Sequence, residues 1–148
     1  MYKHILISTD GSEVAQKGVD HGLTLAKSLG AEVLVITVTE PYPMFTGAAA
    51  HWAPGPVEMG DYIEAQKEGA EKLLASVKEA AGKLGVEART VHVADAWPAE
   101  AIVEAAKTNH CSLIVMGSHG RRGIGRLLLG SQTAEVLSHS PVPVLVVR

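Results

Sequence analysis

The sequence predicts a single doubly wound α/β domain, in which a five-stranded parallel sheet carries helices on both faces. Three observations lead there. Five short apolar runs alternate with stretches of helical periodicity, the pattern a parallel sheet requires, and right-handed crossovers then place helices on both faces. Several of the runs are apolar at nearly every position, as strands covered on both sides are. The chain of 148 residues, 47% of them hydrophobic, suffices for one sizeable core and needs no linker, so residues 1–148 read as one domain.

His4 to Thr9 reads as the first strand. Ala15, Val19, Gly22-Leu23 and Ala26 then recur at helical spacing, and Gly30 is placed to cap that helix at its C-terminus. Val33 to Val38 is the second strand. Thr39 to Val57 holds Pro41, Pro43, Pro54, Pro56, Gly47 and Gly55 and reads as a long irregular segment, a lid or a disordered stretch. From Glu58 to Leu84, Tyr62, Gly69-Ala70, Leu73, Val77, Ala80-Ala81 and Leu84 mark a long amphipathic helix. Glu87 to Val93 alternates in the manner of an edge strand. Pro98 suits the first turn of a helix whose apolar face is Ile102, Val103 and Ala106, ending before Asn109-His110. Leu113 to Met116 is the fourth strand, Thr133 to Ser138 lies in the last helix, and Val144 to Val147 is the fifth strand.

Charge and cysteine usage narrow the function classes. Thirteen basic against 16 acidic residues give a formal charge of −3, which argues against a nucleic-acid partner held by a positive field. No apolar run approaches a membrane span, and Ile5-Leu6-Ile7 is too short for a signal peptide, so no membrane partner is expected. The single cysteine, Cys111, permits no internal disulfide, reads as a small buried hydrophobe, and makes a cytoplasmic protein the default. The seven histidines are scattered without paired ligand spacing, and no G-x-S-x-G elbow supports a hydrolase triad.

The most specific stretch is Met116-Gly117-Ser118-His119-Gly120, followed after nine residues by Gly130-Ser131-Gln132-Thr133. It lies where the fourth strand hands over to the last helix. Glycine permits positive φ and lets a ligand approach the main chain, so amide N–H groups can turn toward an anion. Gly130-Ser131 then opens a helix whose N-terminal amides and dipole favour negative charge. The segment reads as a phosphate cradle, with a merely flexible glycine loop as the alternative. Arg121, Arg122 and Arg126 fall inside it, either to neutralise phosphate or as solvated loop residues. Two familiar phosphate motifs fail: Arg126-Leu127 stands where a P-loop needs Lys and Ser/Thr, and Leu128 occupies the third glycine position of a dinucleotide fingerprint.

What does match is G-x2-G-x9-G-[ST], through Gly117, Gly120, Gly130 and Ser131. This resembles the ATP-binding motif of the universal stress protein family. The likeness extends to the start Lys3 to Ser12, to Trp97-Pro98-Ala99-Glu100-Ala101-Ile102, and to the ending Ser140 to Val147. The resemblance implies the strand order 3-2-1-4-5, with the first and fourth strands side by side at a topological switch point. Ser8-Thr9-Asp10 and Met116-Gly117-Ser118 would then line one crevice. Asp10 on position alone suits a helix cap; the resemblance places it in the nucleotide site instead, toward ribose or a phosphate-bound metal. Val38 resembles the family position whose backbone contacts the adenine edge. Ser118, Ser131 and Thr133 can offer hydroxyl groups to phosphates, Gln132 a main-chain contact only, and Arg122 a charge. His119 is expected to be solvent-exposed or in contact with a lid, not catalytic.

The resemblance implies an ATP-binding universal stress protein: a nucleotide-dependent or chaperone-like switch in stress response, with Mg or Mn accompanying the phosphates. It also implies a homodimer. The strand Val144 to Val147 would lie at a sheet edge whose unpaired backbone groups invite a second copy. The alternatives are a slow ATPase or nucleotide-activating enzyme on a related fold, and an interaction module whose glycine loop is purely structural. No Walker lysine or positioned base favours efficient hydrolysis. The first loop, Ser8-Thr9-Asp10-Gly11-Ser12, also lacks the second consecutive glycine of the S-G-G-x-D-S pattern of ATP-pyrophosphatases.

Overall fold

A computed structural model describes residues 1–120 and 128–148. The elements follow one another as β1 (His4–Ser8), α1 (Glu13–Leu29), β2 (Glu32–Val38), α2 (Pro56–Lys83), β3 (Ala88–Val93), α3 (Pro98–Thr108), β4 (Leu113–Gly117), α4 (Ser131–His139) and β5 (Val144–Val147). All strand pairings are parallel and the sheet order is β3-β2-β1-β4-β5. The expected fold class and strand order are therefore observed.

Alternate residues of the inner strands feed two separate cores. Ile5, Ile7, Val33, Val35, Leu113 and Val115 face the layer of α1 and α2, where they meet Val19, Leu23, Leu74 and Val77. Leu6, Leu34, Ile36, Ile114 and Met116 face the layer of α3 and α4, against Ile102, Ala106 and Val136. A strand buried on both faces has no polar position to give, which is why these runs read as continuous apolar segments. Cys111 is buried in the second core, where desolvation pushes its thiol pKa up. That environment suits the inert, hydrophobic role expected of it.

The helix caps explain where the chain turns. Ser12 is the N-cap of α1, its Oγ accepting the N–H of Ala15 at 3.2 Å, and Gly30 closes the helix in the left-handed conformation with φ 63°. The segment expected to be irregular from Thr39 to Val57 contains a 3-10 turn, Gly47–Trp52, and α2 begins at Pro56, two residues earlier than the hydrophobic pattern suggested. Proline at a first helical position loses no hydrogen bond, so Pro56 belongs to the helix and not to the loop before it.

Candidate functional site

β1 and β4 lie side by side in the sheet, and a crevice of about 590 Å³ opens beyond their carboxyl ends. The strands run parallel, but the sheet is wound outward in opposite senses from these two, so the loops that follow them diverge and leave room for a ligand. The crevice is lined by eleven of the predicted residues: Ser8, Thr9, Asp10, Val38, Met116, Gly117, Gly120, Gly130, Ser131, Gln132 and Thr133. Arg122 lies outside the described residues, as do Arg121 and Arg126.

Asp10 does not cap α1, because Ser12 holds that position. The Asp10 Oδ1 accepts the N–H of Ser12 at 2.9 Å, and Thr9 Oγ1 accepts that of Gly11 at 3.2 Å, so two local bonds fix the loop. Gly11 takes φ 79°, which a side chain would resist. The second carboxylate oxygen of Asp10 lies where a Cβ on Gly120 would sit, which brings the two loops face to face across the crevice.

The glycines of the motif work by close approach, not by conformational freedom. None of Gly117, Gly120 and Gly130 takes positive φ. A Cβ on Gly117 would meet the Val14 carbonyl oxygen at 3.0 Å, and one on Gly130 would meet His119 Cα at 2.9 Å. Gly18 on α1 reciprocates, since its Cβ would lie 3.1 Å from the Gly117 nitrogen. Gly117 is thus required by the packing of α1 on β4, and Gly130 by the return of the chain onto His119, where the Gly130 N–H bonds the Ser118 carbonyl at 2.8 Å.

Three helices begin around the crevice, and their N-termini differ in one respect. At α1, Ser12 supplies a side-chain acceptor. At α3, the Oε1 of Gln132 accepts the Ala99 N–H at 3.0 Å. At α4 the N-cap is Gly130, which has no side chain to offer, and Ser131, Gln132 and Thr133 line the crevice in the turn that follows. Among the described residues, α4 is the helix at the crevice whose N-terminus has no side-chain acceptor, so its positive dipole end is open to the cavity.

Two hydroxyls expected at the ligand have partners within the protein. Ser118 is buried and does not line the crevice; its N–H bonds the Val147 carbonyl at 2.8 Å, and its Oγ lies 3.2 Å from His119 Nδ1. Its N–H continues the pairing of β4 with β5 by one residue, which ties Ser118 to the sheet. Thr133 does line the crevice, but its Oγ1 donates to the Gly117 carbonyl at 3.0 Å, so that proton is already committed. His119 lines the crevice and is partly exposed.

The opposite wall was not legible as a site. Tyr62, Gln66, Gly69 and Leu73 of α2 line it, with Glu40 and Thr39 from the end of β2. Gln66 donates to the Tyr62 hydroxyl at 2.8 Å, and the Tyr62 ring meets that of Tyr42 edge-on at 4.9 Å. Thr39 Oγ1 lies 2.9 Å from His92 Nε2. Among the described residues, no group of three or more His, Cys, Asp or Glu could hold a metal ion, and no helix is long and apolar enough to cross a membrane.

A model of the universal stress protein family matches residues 1–148. The chain belongs to the universal stress protein family. It is 38% identical to the universal stress protein MJ0531 of Methanocaldococcus jannaschii, over all of this chain and 83% of that one. It is 36% identical to the universal stress protein YxiE of Bacillus subtilis over the full length of both. Among solved structures, the universal stress protein UspA from Lactobacillus plantarum superposes with a TM-score of 0.83 at 23% identity, covering 99% of this chain and 98% of that one. A universal stress protein crystallised in complex with cAMP superposes with a TM-score of 0.68 at 25% identity, covering 99% and 97%.

Proposed function

We propose that this universal stress protein binds ATP in the crevice beyond β1 and β4 and acts as a cytoplasmic nucleotide-dependent switch, regulatory or chaperone-like, in stress response. The observation that carries the reading is the start of α4: of the three helix N-termini at the crevice, it alone finds no side-chain acceptor among the described residues, and Ser131, Gln132 and Thr133 of its first turn line the cavity together with Asp10. A phosphate group fits there, because it can accept the N–H groups that the other two helices give to Ser12 and Gln132. The Val38 end of β2 and the Tyr62 side of α2 offer a main-chain edge and an aromatic ring to a base. The cAMP complex of a related protein supports an adenine nucleotide as the ligand class.

Mg or Mn would arrive with the phosphates. Asp10 is the carboxylate on that side of the crevice, and a single protein carboxylate plus phosphate oxygens is a usual arrangement for Mg. The Asp10 carboxylate and the amides at the start of α4 would orient the triphosphate; the ion would screen its charge. The protein is further proposed to work as a homodimer through β5. That strand is at the sheet edge, and Leu128, Leu129 and Leu137 are exposed in the same C-terminal part of the chain. Mass spectrometry of small molecules released from gently purified protein tests the ligand. Co-purified ATP is expected, whereas protein that carries no nucleotide and binds none on titration would overturn the reading.

A further inference from the structure

Midway along α2 stands Gly69, where neither the backbone nor the packing asks for a glycine. Its φ is not positive, and a Cβ built there would meet nothing within 4 Å. Glycine in the interior of a helix weakens it, because the unfolded backbone has more freedom to lose. Gly60 and Gly82 are as open as Gly69, but they lie within about two turns of the helix ends, where fraying makes the residue type matter less. Of these three, Gly69 is the one that lines the crevice.

The neighbours give the opening a shape. Tyr62, Gln66, Gly69 and Leu73 follow one another at spacings of four, three and four, so they share one face of α2, and all four line the crevice. The long side chains of this face are interrupted at Gly69 by bare backbone, which makes a notch in the wall. Both flanks of the notch have partners elsewhere. Gln66 donates to the Tyr62 hydroxyl at 2.8 Å, with Tyr62 braced edge-on by Tyr42, and Leu73 packs against the core beneath the helix.

The place of the notch says which part of a nucleotide it suits. α2 packs on β2 and β3, whereas α4 belongs to the layer on the other face of the sheet. Phosphates held at the start of α4 therefore leave the base toward the end of β2, where Thr37 and Val38 also line the crevice. Pro98 and Ile102 of α3 line it from the other layer, so apolar surface lies on both sides. A flat ring needs close approach over a wide area, and bare helix backbone allows it where a side chain would hold the ring away. We propose, resting on the nucleotide-binding reading above, that Gly69 is a base-binding position: the notch between Gln66 and Leu73 receives the face of the nucleotide's base.

Gly69→Ala tests this, because stability and binding should move in opposite directions. The thermal midpoint without ligand should rise by about 2–4 °C, the usual gain from replacing a helical glycine. Mg-ATP affinity measured by calorimetry should fall roughly tenfold or more, the effect of one added carbon in a fitted pocket. Inorganic tripolyphosphate, which has no base, should bind variant and wild type alike. Gly60→Ala, on the same helix but outside the crevice, should leave ATP affinity unchanged. Gly69→Leu fills the notch and should abolish ATP binding while the circular dichroism stays native. Equal ATP affinity in the wild type and both Gly69 variants would overturn the proposal and leave ATP binding standing. An equal loss of ATP and tripolyphosphate binding in Gly69→Ala would also overturn it, since the notch would then not be receiving the base. A wild type that binds no ATP would remove the nucleotide reading itself, and this inference with it.

Discussion

The side-chain carbonyl of Gln132, in the first turn of α4, accepts the backbone N–H of Ala99, in the first turn of α3, at 3.0 Å. One residue therefore caps a neighbouring helix while its own helix begins on a glycine. Replacing Gln132 by alanine leaves the α3 amide without this acceptor and should cost about 1 kcal/mol, the usual worth of an N-cap. Urea unfolding monitored by circular dichroism measures it. ATP affinity is expected to change little, because the side-chain carbonyl is already committed to α3.

Ser131 and Thr133 should separate in the same way, with opposite outcomes. Thr133 is buried and its hydroxyl bonds the Gly117 carbonyl, so Thr133→Val strands a buried acceptor and should destabilise the fold by about 1–3 kcal/mol. Ser131 is exposed at the crevice, and Ser131→Ala should leave stability unchanged while lowering ATP affinity several-fold. Paired denaturation and calorimetric titration of the two variants check both.

Asp10→Asn keeps the oxygen that accepts the Ser12 N–H, so the loop should hold its shape. The lost charge should weaken Mg-ATP by about tenfold, equivalent to ~1.4 kcal/mol. Any hydrolysis by the wild type is expected to be far slower than the ~10 per second typical of enzymes. Turnover at enzymatic rates that collapses in this variant would make Asp10 catalytic and the protein an ATPase.

These expectations show which features were legible in the sequence. Both central strands were plain because a strand covered on two faces tolerates no polar residue, and Gly30 marked a helix end because a left-handed residue is wanted there. The strand order came from resemblance, since pattern alone does not say which strands are neighbours. The crevice-lining glycines and the start of α4 were singled out by spacing, whereas Asp10 and Val38 were singled out by resemblance. The reason for the glycines was not: Gly117 and Gly130 are small because Val14 and His119 press on them, contacts made by elements distant from the motif or by a chain reversal. Tyr62 and Gln66 were hidden because the crevice-facing and sheet-facing sides of α2 share one helical period. The pairing of Ser118 with Val147 carried no local signal, because it depends on a strand nearly thirty residues away.

The terminal strand gives a prediction on assembly. Val146 sits on β5, in register with Met116 of β4, with its other edge unpaired among the described elements. Light scattering should show a dimer, and Val146→Lys should shift it toward monomer by placing charge in an antiparallel pairing across the two-fold. A monomeric wild type, or a variant whose dimer is undiminished, would remove this interface.

The account rests on phosphate at the start of α4, and the most direct measurement is the amide nuclear magnetic resonance spectrum of isotopically labelled protein during titration with Mg-ATP. The amides of Ser131, Gln132 and Thr133 should shift most, in a saturable manner, with the Asp10 loop following and the capped amides of Ala15 and Ala99 moving less. Saturable shifts centred elsewhere, or none at millimolar ATP, would contradict it.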